Sequence, residues 1–150
     1  LSTIFPEVRL KRFLEMRGAD AGPAARVAEV SALWVGLLYD ATALDAAYDL
    51  IKGWTAAERQ ALRDGVPKEA LATPFRGGTV GDVARQVVEI ARHGLGRRNR
   101  RNSTGASEQI YLEAVAETAR SGVTFADRLI VECRDQWGGD VAQVFTQHAF

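Results

Sequence analysis

Residues 9–17 read Arg9-Leu10-Lys11-Arg12-Phe13-Leu14-Glu15-Met16-Arg17, an alternation that only an extended strand can use. Side chains on a strand repeat every second residue, so Leu10, Leu14 and Met16 share one face with Arg12. Arg9, Lys11, Phe13, Glu15 and Arg17 share the other face. The stretch is too charged for a buried strand and too alternating for a helix. Nothing after it keeps this period, and that contrast constrains the fold most. It predicts a mainly α chain with one or two strands, confined to about the first twenty residues, and no complete sheet.

The remainder predicts a series of helices. A Gly/Ala/Pro-rich connector near residues 18–23 leads into a short helix over 24–29 and a buried helical segment over 32–39. Asp40 suits the N-cap of a helix over 41–52, with Leu44, Ala47, Tyr48 and Ile51 on one stripe. Thr55 and Glu58 have capping-box spacing for a helix to about residue 65, and residues 67–78 predict a loop. Residues 79–95 carry apolar positions at helical spacing, and Gly94 and Gly96 are expected to end that helix. Further helices are expected over 107–120, over 125–135 behind a Thr124 cap, and in a short piece after Asp140.

Composition narrows the partners. At 150 residues the natural expectation is one compact domain with a real core, and 47% hydrophobic with 25% charged residues is ordinary for a globular chain. Nineteen basic residues balance nineteen acidic ones, so no net field draws the chain to nucleic acid or to a membrane. No apolar run is long enough to span a bilayer. A single cysteine, Cys133, excludes an internal disulfide and a cysteine zinc site within these residues; it is expected to be a small core residue on a helix. His93, expected in the last turn of its helix, and His148 have no metal-ligand spacing. Trp34, Trp54 and Trp137 read as core.

The chemically suggestive residues sit on the opening strand. A carboxylate and a guanidinium two positions apart, Glu15 and Arg17, suit a site that handles metal-bound phosphate. The carboxylate offers a hard oxygen to Mg²⁺, and the guanidinium forks onto phosphoryl oxygens. On residue types alone, a polar sheet face with a cross-strand ion pair accounts for the same residues. Lys11 faces the same way as Glu15, and Asp20 serves either as a site residue or as a turn-stabilising Asx residue. Arg97, Arg98, Arg100 and Arg101 cluster as a nucleic-acid patch would, but without interleaved aromatics, and they predict a solvated loop. Arg76, in Phe75-Arg76-Gly77-Gly78, is within reach of a carboxylate ligand in principle but reads as surface loop.

Longer motifs carry a resemblance. Residues 3–20, Leu33-Trp34-Val35-Gly36-Leu37-Leu38-Tyr39-Asp40, Thr73-Pro74-Phe75-Arg76-Gly77-Gly78-Thr79-Val80, Trp137-Gly138-Gly139-Asp140 and Val144-Phe145 occur in order and together cover nearly the whole chain. They resemble the C-terminal part of plant-type glutamate–cysteine ligases. The resemblance implies the C-terminal segment of one larger catalytic domain, with residues 1–20 as active-site strand and turn and 24–150 as its helical part. The fold it implies is the C-terminal portion of a glutamine-synthetase-like α+β ligase.

The implied activity is ATP-dependent formation of γ-glutamylcysteine from glutamate and cysteine through a γ-glutamyl phosphate, with most of the active site outside these residues. By the same resemblance Glu15 binds Mg²⁺ and Arg17 contacts the ATP γ-phosphate as the catalytic residue; Lys11, from its place on the same face, is expected at the ATP phosphates or as an adjustment of the local potential. One cysteine of the family's redox disulfide falls at Ala28, so that switch is not expected here. The expected location is cytoplasmic, with neither nucleic acid nor membrane as a partner; the oligomeric state is left open. A related carboxylate–amine ligase with another acceptor amine, and a non-catalytic helical interaction module, are the alternatives.

Overall fold

In a computed structural model of the chain, residues 7–19, 22 and 24–148 are described. Seven α-helices and two small antiparallel ribbons make up these residues, in the order β1 (Val8–Leu10), β2 (Leu14–Met16), α1 (Ala24–Leu38), α2 (Ala41–Ile51), α3 (Ala56–Glu69), β3 (Pro74–Phe75), β4 (Gly78–Thr79), α4 (Val80–Arg98), α5 (Glu113–Ser121), α6 (Phe125–Asp135) and α7 (Val144–Gln147). Three short 3₁₀ turns lie between them, at Ala70–Ala72, Glu108–Leu112 and Val141–Gln143.

The chain is mainly α with two strands in its opening segment, as expected, and these two pair as a hairpin. β1 and β2 pair with Val8 opposite Met16, Arg9 opposite Glu15 and Leu10 opposite Leu14. The Lys11 amide donates to the Phe13 carbonyl at 2.8 Å to close the turn. Residues 11–13 carry no glycine, asparagine or proline to mark that turn, so the alternation runs on through it. The other ribbon, β3–β4, lies well beyond residue 20, so the strands are not confined to the first twenty residues. Arg76 and Gly77 form its two-residue loop, both at positive φ (47° and 79°), which is the backbone that fits a tight hairpin twist.

The core forms where α1 crosses α4. Ala32, Leu37, Ala91, Leu95 and Leu112 are buried there, with Leu33, Trp34, Val35, Val87, Ile90, Tyr111 and Val115 packed around them. Glycine permits the crossing: a Cβ on Gly36 would run into the Ala91 carbonyl, and one on Gly94 into the Gly36 carbonyl. Gly94 therefore serves helix packing and does not stop α4, which continues to Arg98. Asn99 ends it in the left-handed conformation (φ 47°, ψ 40°), its amide bonded to the Leu95 and Gly96 carbonyls. His93 is accordingly inside the helix, short of its last turn.

Other boundaries shift for local reasons. Residues 24–29 and 32–39 fuse into the single helix α1, because nothing between them breaks it. α3 passes through Pro67, which has no N–H to donate to the preceding turn, and ends two residues later at Glu69. On α2 it is Ala43 that is buried, while Leu44, Tyr48 and Ile51 of the expected stripe are exposed. The segment after Ser107 opens as a 3₁₀ turn before α5 begins. Cys133 lies on α6 as expected, but half-buried.

The N-caps follow the sequence closely. The Asp40 side chain accepts from the Ala43 amide, and Thr55–Glu58 and Thr124–Asp127 are complete capping boxes. Thr79–Asp82 forms a further one at the start of α4. Among the described residues, no single helix is long and apolar enough to cross a membrane.

Candidate active site

The hairpin sorts its residues by parity. Each cross-strand pair joins two even or two odd positions, so folding the alternating segment back on itself keeps the two faces distinct. Val8, Leu10, Leu14 and Met16 lie on one face; Arg9 and Glu15 lie opposite one another on the other. Arg17 follows two positions after Glu15, and its amide bonds the Glu7 carbonyl at 2.8 Å, continuing the ladder. Arg12, expected beside the leucines, sits in the exposed turn instead.

Glu15 is set among cations. Arg9 Nε lies 2.6 Å from its Oε2, and Lys11 Nζ lies 3.5 Å from Oε1. The hydrogen bond from Arg9, opposed by desolvation and helped by the charges of Arg9 and Lys11, holds the Glu15 carboxyl below the usual carboxylate range. Lys11 also lies 5.9 Å from the centre of the Phe13 ring. The structure thus brings Glu15 and Lys11 together and adds Arg9, which sequence reasoning placed on that face without a role. The cross-strand ion pair of the simpler reading is present. Asp20 lies outside the described residues.

These residues meet part of what a Mg²⁺ site requires. An ionised, half-exposed carboxylate is the hard oxygen donor this ion prefers, and Mg²⁺ is commonly held by only one or two carboxylates plus phosphates and water. Glu15 fits as one such ligand. Among the described residues no group of three acidic, histidine or cysteine side chains could hold an ion by itself.

The rival cationic features are engaged elsewhere. Arg76 lays a two-pronged contact on Glu58, with Nε 2.6 Å from Oε1 and Nη2 2.9 Å from Oε2, and its Nη2 also bonds the Gly53 carbonyl. Together with the Thr55 cap, this lowers the Glu58 carboxyl from 4.5 to about 2. Arg76 therefore fastens the β3–β4 loop to α3. In the basic cluster, Arg97 pairs with Asp40 at 2.9 Å, Arg98 approaches Glu108 at 3.6 Å, and Arg101 bonds the Gly105 carbonyl at 2.8 Å. Arg97 and Arg98 belong to the last turn of α4, so the cluster is half helix and only half the expected loop. His148 contacts Glu132 at 2.7 Å, beside the Phe125 and Trp137 rings.

The hairpin thus presents one carboxylate among cationic side chains. Residues 1–147 match the family described as glutamate–cysteine ligase family 2. Chloroplastic glutamate–cysteine ligases of Arabidopsis thaliana and Nicotiana tabacum are 50% and 48% identical to it over 147 residues, and glutamate–cysteine ligase B of Oryza sativa subsp. japonica is 46% identical. Each match covers 98% of this chain, which spans 27–28% of the length of these relatives.

The chain belongs to glutamate–cysteine ligase family 2, a family of ligase enzymes. The relatives are named chloroplastic, which overturns the expectation of a cytoplasmic protein.

Proposed function

We propose that this chain supplies the metal- and phosphate-handling hairpin of a glutamate–cysteine ligase that makes γ-glutamylcysteine from glutamate, cysteine and ATP. It would do so as the C-terminal segment of a single catalytic domain of glutamine-synthetase-like α+β fold. The observation that carries the proposal is Glu15 on the charged face of the ribbon with Arg17 two positions on, where its amide bonds the Glu7 carbonyl, in a chain of this family. In the reaction, a γ-carboxylate oxygen of glutamate attacks the γ-phosphorus of ATP, and ADP leaves. The cysteine amine then attacks the acyl phosphate, phosphate leaves, and the amine proton passes to solvent or a base.

Phosphoryl transfer asks the protein chiefly to align the reactants and to offset charge. Arg17 would fork onto oxygens of the migrating phosphoryl group, and Lys11 would add positive potential beside the ATP phosphates. Glu15 would hold Mg²⁺, which when bound neutralises charge on the phosphate oxygens. Arg9 contacts Glu15 across an exposed surface, where ion pairs are weak, so it keeps the carboxylate ionised and aligned without blocking a divalent ion.

The proposal is tested with the full-length enzyme, ATP, glutamate and a panel of acceptor amines, following phosphate release and the amide product. Cysteine should be the preferred acceptor, with one phosphate per γ-glutamylcysteine. Preference for another amine would make this a sister ligase, and no phosphate release with any acceptor would refute the proposal.

A further inference from the structure

Beside the hairpin lies a cavity of about 560 Å³ to which the proposed chemistry assigns no role. Tyr48 of α2 and Trp54, just before α3, line it with aromatic rings, and Lys52, Arg59 and Arg63 bring three cations to it. Trp54, expected in the core, is only half-buried and is braced from behind. Its ring meets the Phe75 ring edge-on at 4.8 Å, and Arg76 bonds the carbonyl of the neighbouring Gly53. Arg59 Nη2 donates to the Trp54 carbonyl at 2.7 Å, which holds the guanidinium against the same turn. The Tyr48 ring stays accessible, at 63% exposure.

Glu7 links this cavity to the hairpin. Its carbonyl accepts the Arg17 amide, while its carboxylate lines the cavity and meets Arg63 Nη2 at 3.1 Å. The Glu7–Arg63 and Lys52–Asp49 pairs are exposed at both ends. Such pairs are weak, so Arg63 and Lys52 are able to turn to an anionic ligand.

We infer that the cavity receives the adenosine part of ATP, with the base stacked at Tyr48 and Trp54 and the triphosphate leading past Glu7 toward Arg17 and Glu15. The inference rests on the ligase reading above and adds to it the place of the nucleoside. Of the three substrates, only ATP joins a flat aromatic base to a polyanion. Aromatic walls among cations complement both parts, whereas glutamate and cysteine offer no ring to stack. The volume is that of an ordinary small-molecule site. A carboxylate at Glu7 suits the ribose, whose hydroxyls donate to it as they do to the acidic residue of dinucleotide sites. Bracing Trp54 from behind keeps the stacking surface formed before the nucleotide arrives.

Photolysis of 8-azidoadenosine 5′-triphosphate on the unmodified full-length enzyme tests this, because its reactive group sits on the base. Mass spectrometry should find the label within residues 48–63, and excess ATP should displace it while glutamate and cysteine do not. Label elsewhere in the chain, or label that ATP does not displace, would overturn the inference. So would the absence of label, which would mean that the rest of the enzyme fills the cavity. Tyr48→Ala, a change at an exposed side chain, should raise KM for ATP roughly five- to a hundredfold, the worth of one stacking contact, and leave KM for glutamate in place. An unmoved KM for ATP would also overturn it. Phosphate release by the unsubstituted sample is assayed separately, so an active ligase labelled elsewhere loses this inference and keeps the ligase reading.

Discussion

Glu58 shows how a single residue here can look like a site and be a fastening. It accepts from the Thr55 amide as part of a cap and holds both prongs of Arg76, so its carboxyl titrates near 2 rather than 4.5. A carboxyl whose folded value is depressed contributes stability that is fully present above its unfolded value and is lost as pH falls through the folded one. Acid unfolding between about pH 4.5 and 2 should therefore be shallower in Glu58→Gln than in the unsubstituted protein, as read by circular dichroism across a pH series. Equal slopes would mean that the pair adds nothing. Glu15 is shifted the same way by Arg9, so its charge persists well below neutral pH and loss of activity in mild acid should not originate there. That Glu15 and Lys11 share a face was legible from the alternation alone, though not their 3.5 Å approach, which needs the chain to turn. The Arg9 contact was not, because it depends on where the chain reverses, and residues 11–13 have no turn-forming signature.

Among the elements, the helices announced themselves through their first residues. Asp40, Thr55 with Glu58, and Thr124 with Asp127 cap where the spacing said they would, since a cap is a local bond among neighbours in sequence. Helix ends were harder to read. Gly94 looked like a terminator, but its missing side chain is used by α1, a contact 58 residues away that no local pattern encodes. Gly36→Ala tests this at the crossing. Alanine in a helix interior would ordinarily gain up to about 1 kcal/mol over glycine. A Cβ driven into the Ala91 carbonyl should outweigh that, with a net loss of roughly 1–3 kcal/mol as for other overpacked sites. Denaturant unfolding of the variant measures it, and unchanged or higher stability would mean that the helices do not cross this closely. Thr79→Ala, removing a cap of α4, should lose about 1 kcal/mol in the same measurement.

For the molecule as a whole, the described residues contain no three-membered metal-ligand group, while the proposed reaction calls for a metal site and places for three substrates. The 150-residue chain mixed with ATP, glutamate, cysteine and Mg²⁺ should release no phosphate above background. Robust γ-glutamylcysteine formation would show that the hairpin and helices suffice. The central claim, that Glu15 and Arg17 act in catalysis and are not merely paired on a sheet face, is tested in the full-length enzyme by steady-state kinetics across a Mg²⁺ titration. Glu15→Gln keeps the size of the side chain and removes its charge, so its defect should recede at high Mg²⁺ as weakened binding yields to mass action. Arg17→Lys keeps the charge and loses the planar fork, so turnover should fall by roughly ten- to a thousandfold and stay low at every Mg²⁺ concentration. Near-normal turnover in both variants would contradict the account and leave the pair a structural feature of the hairpin.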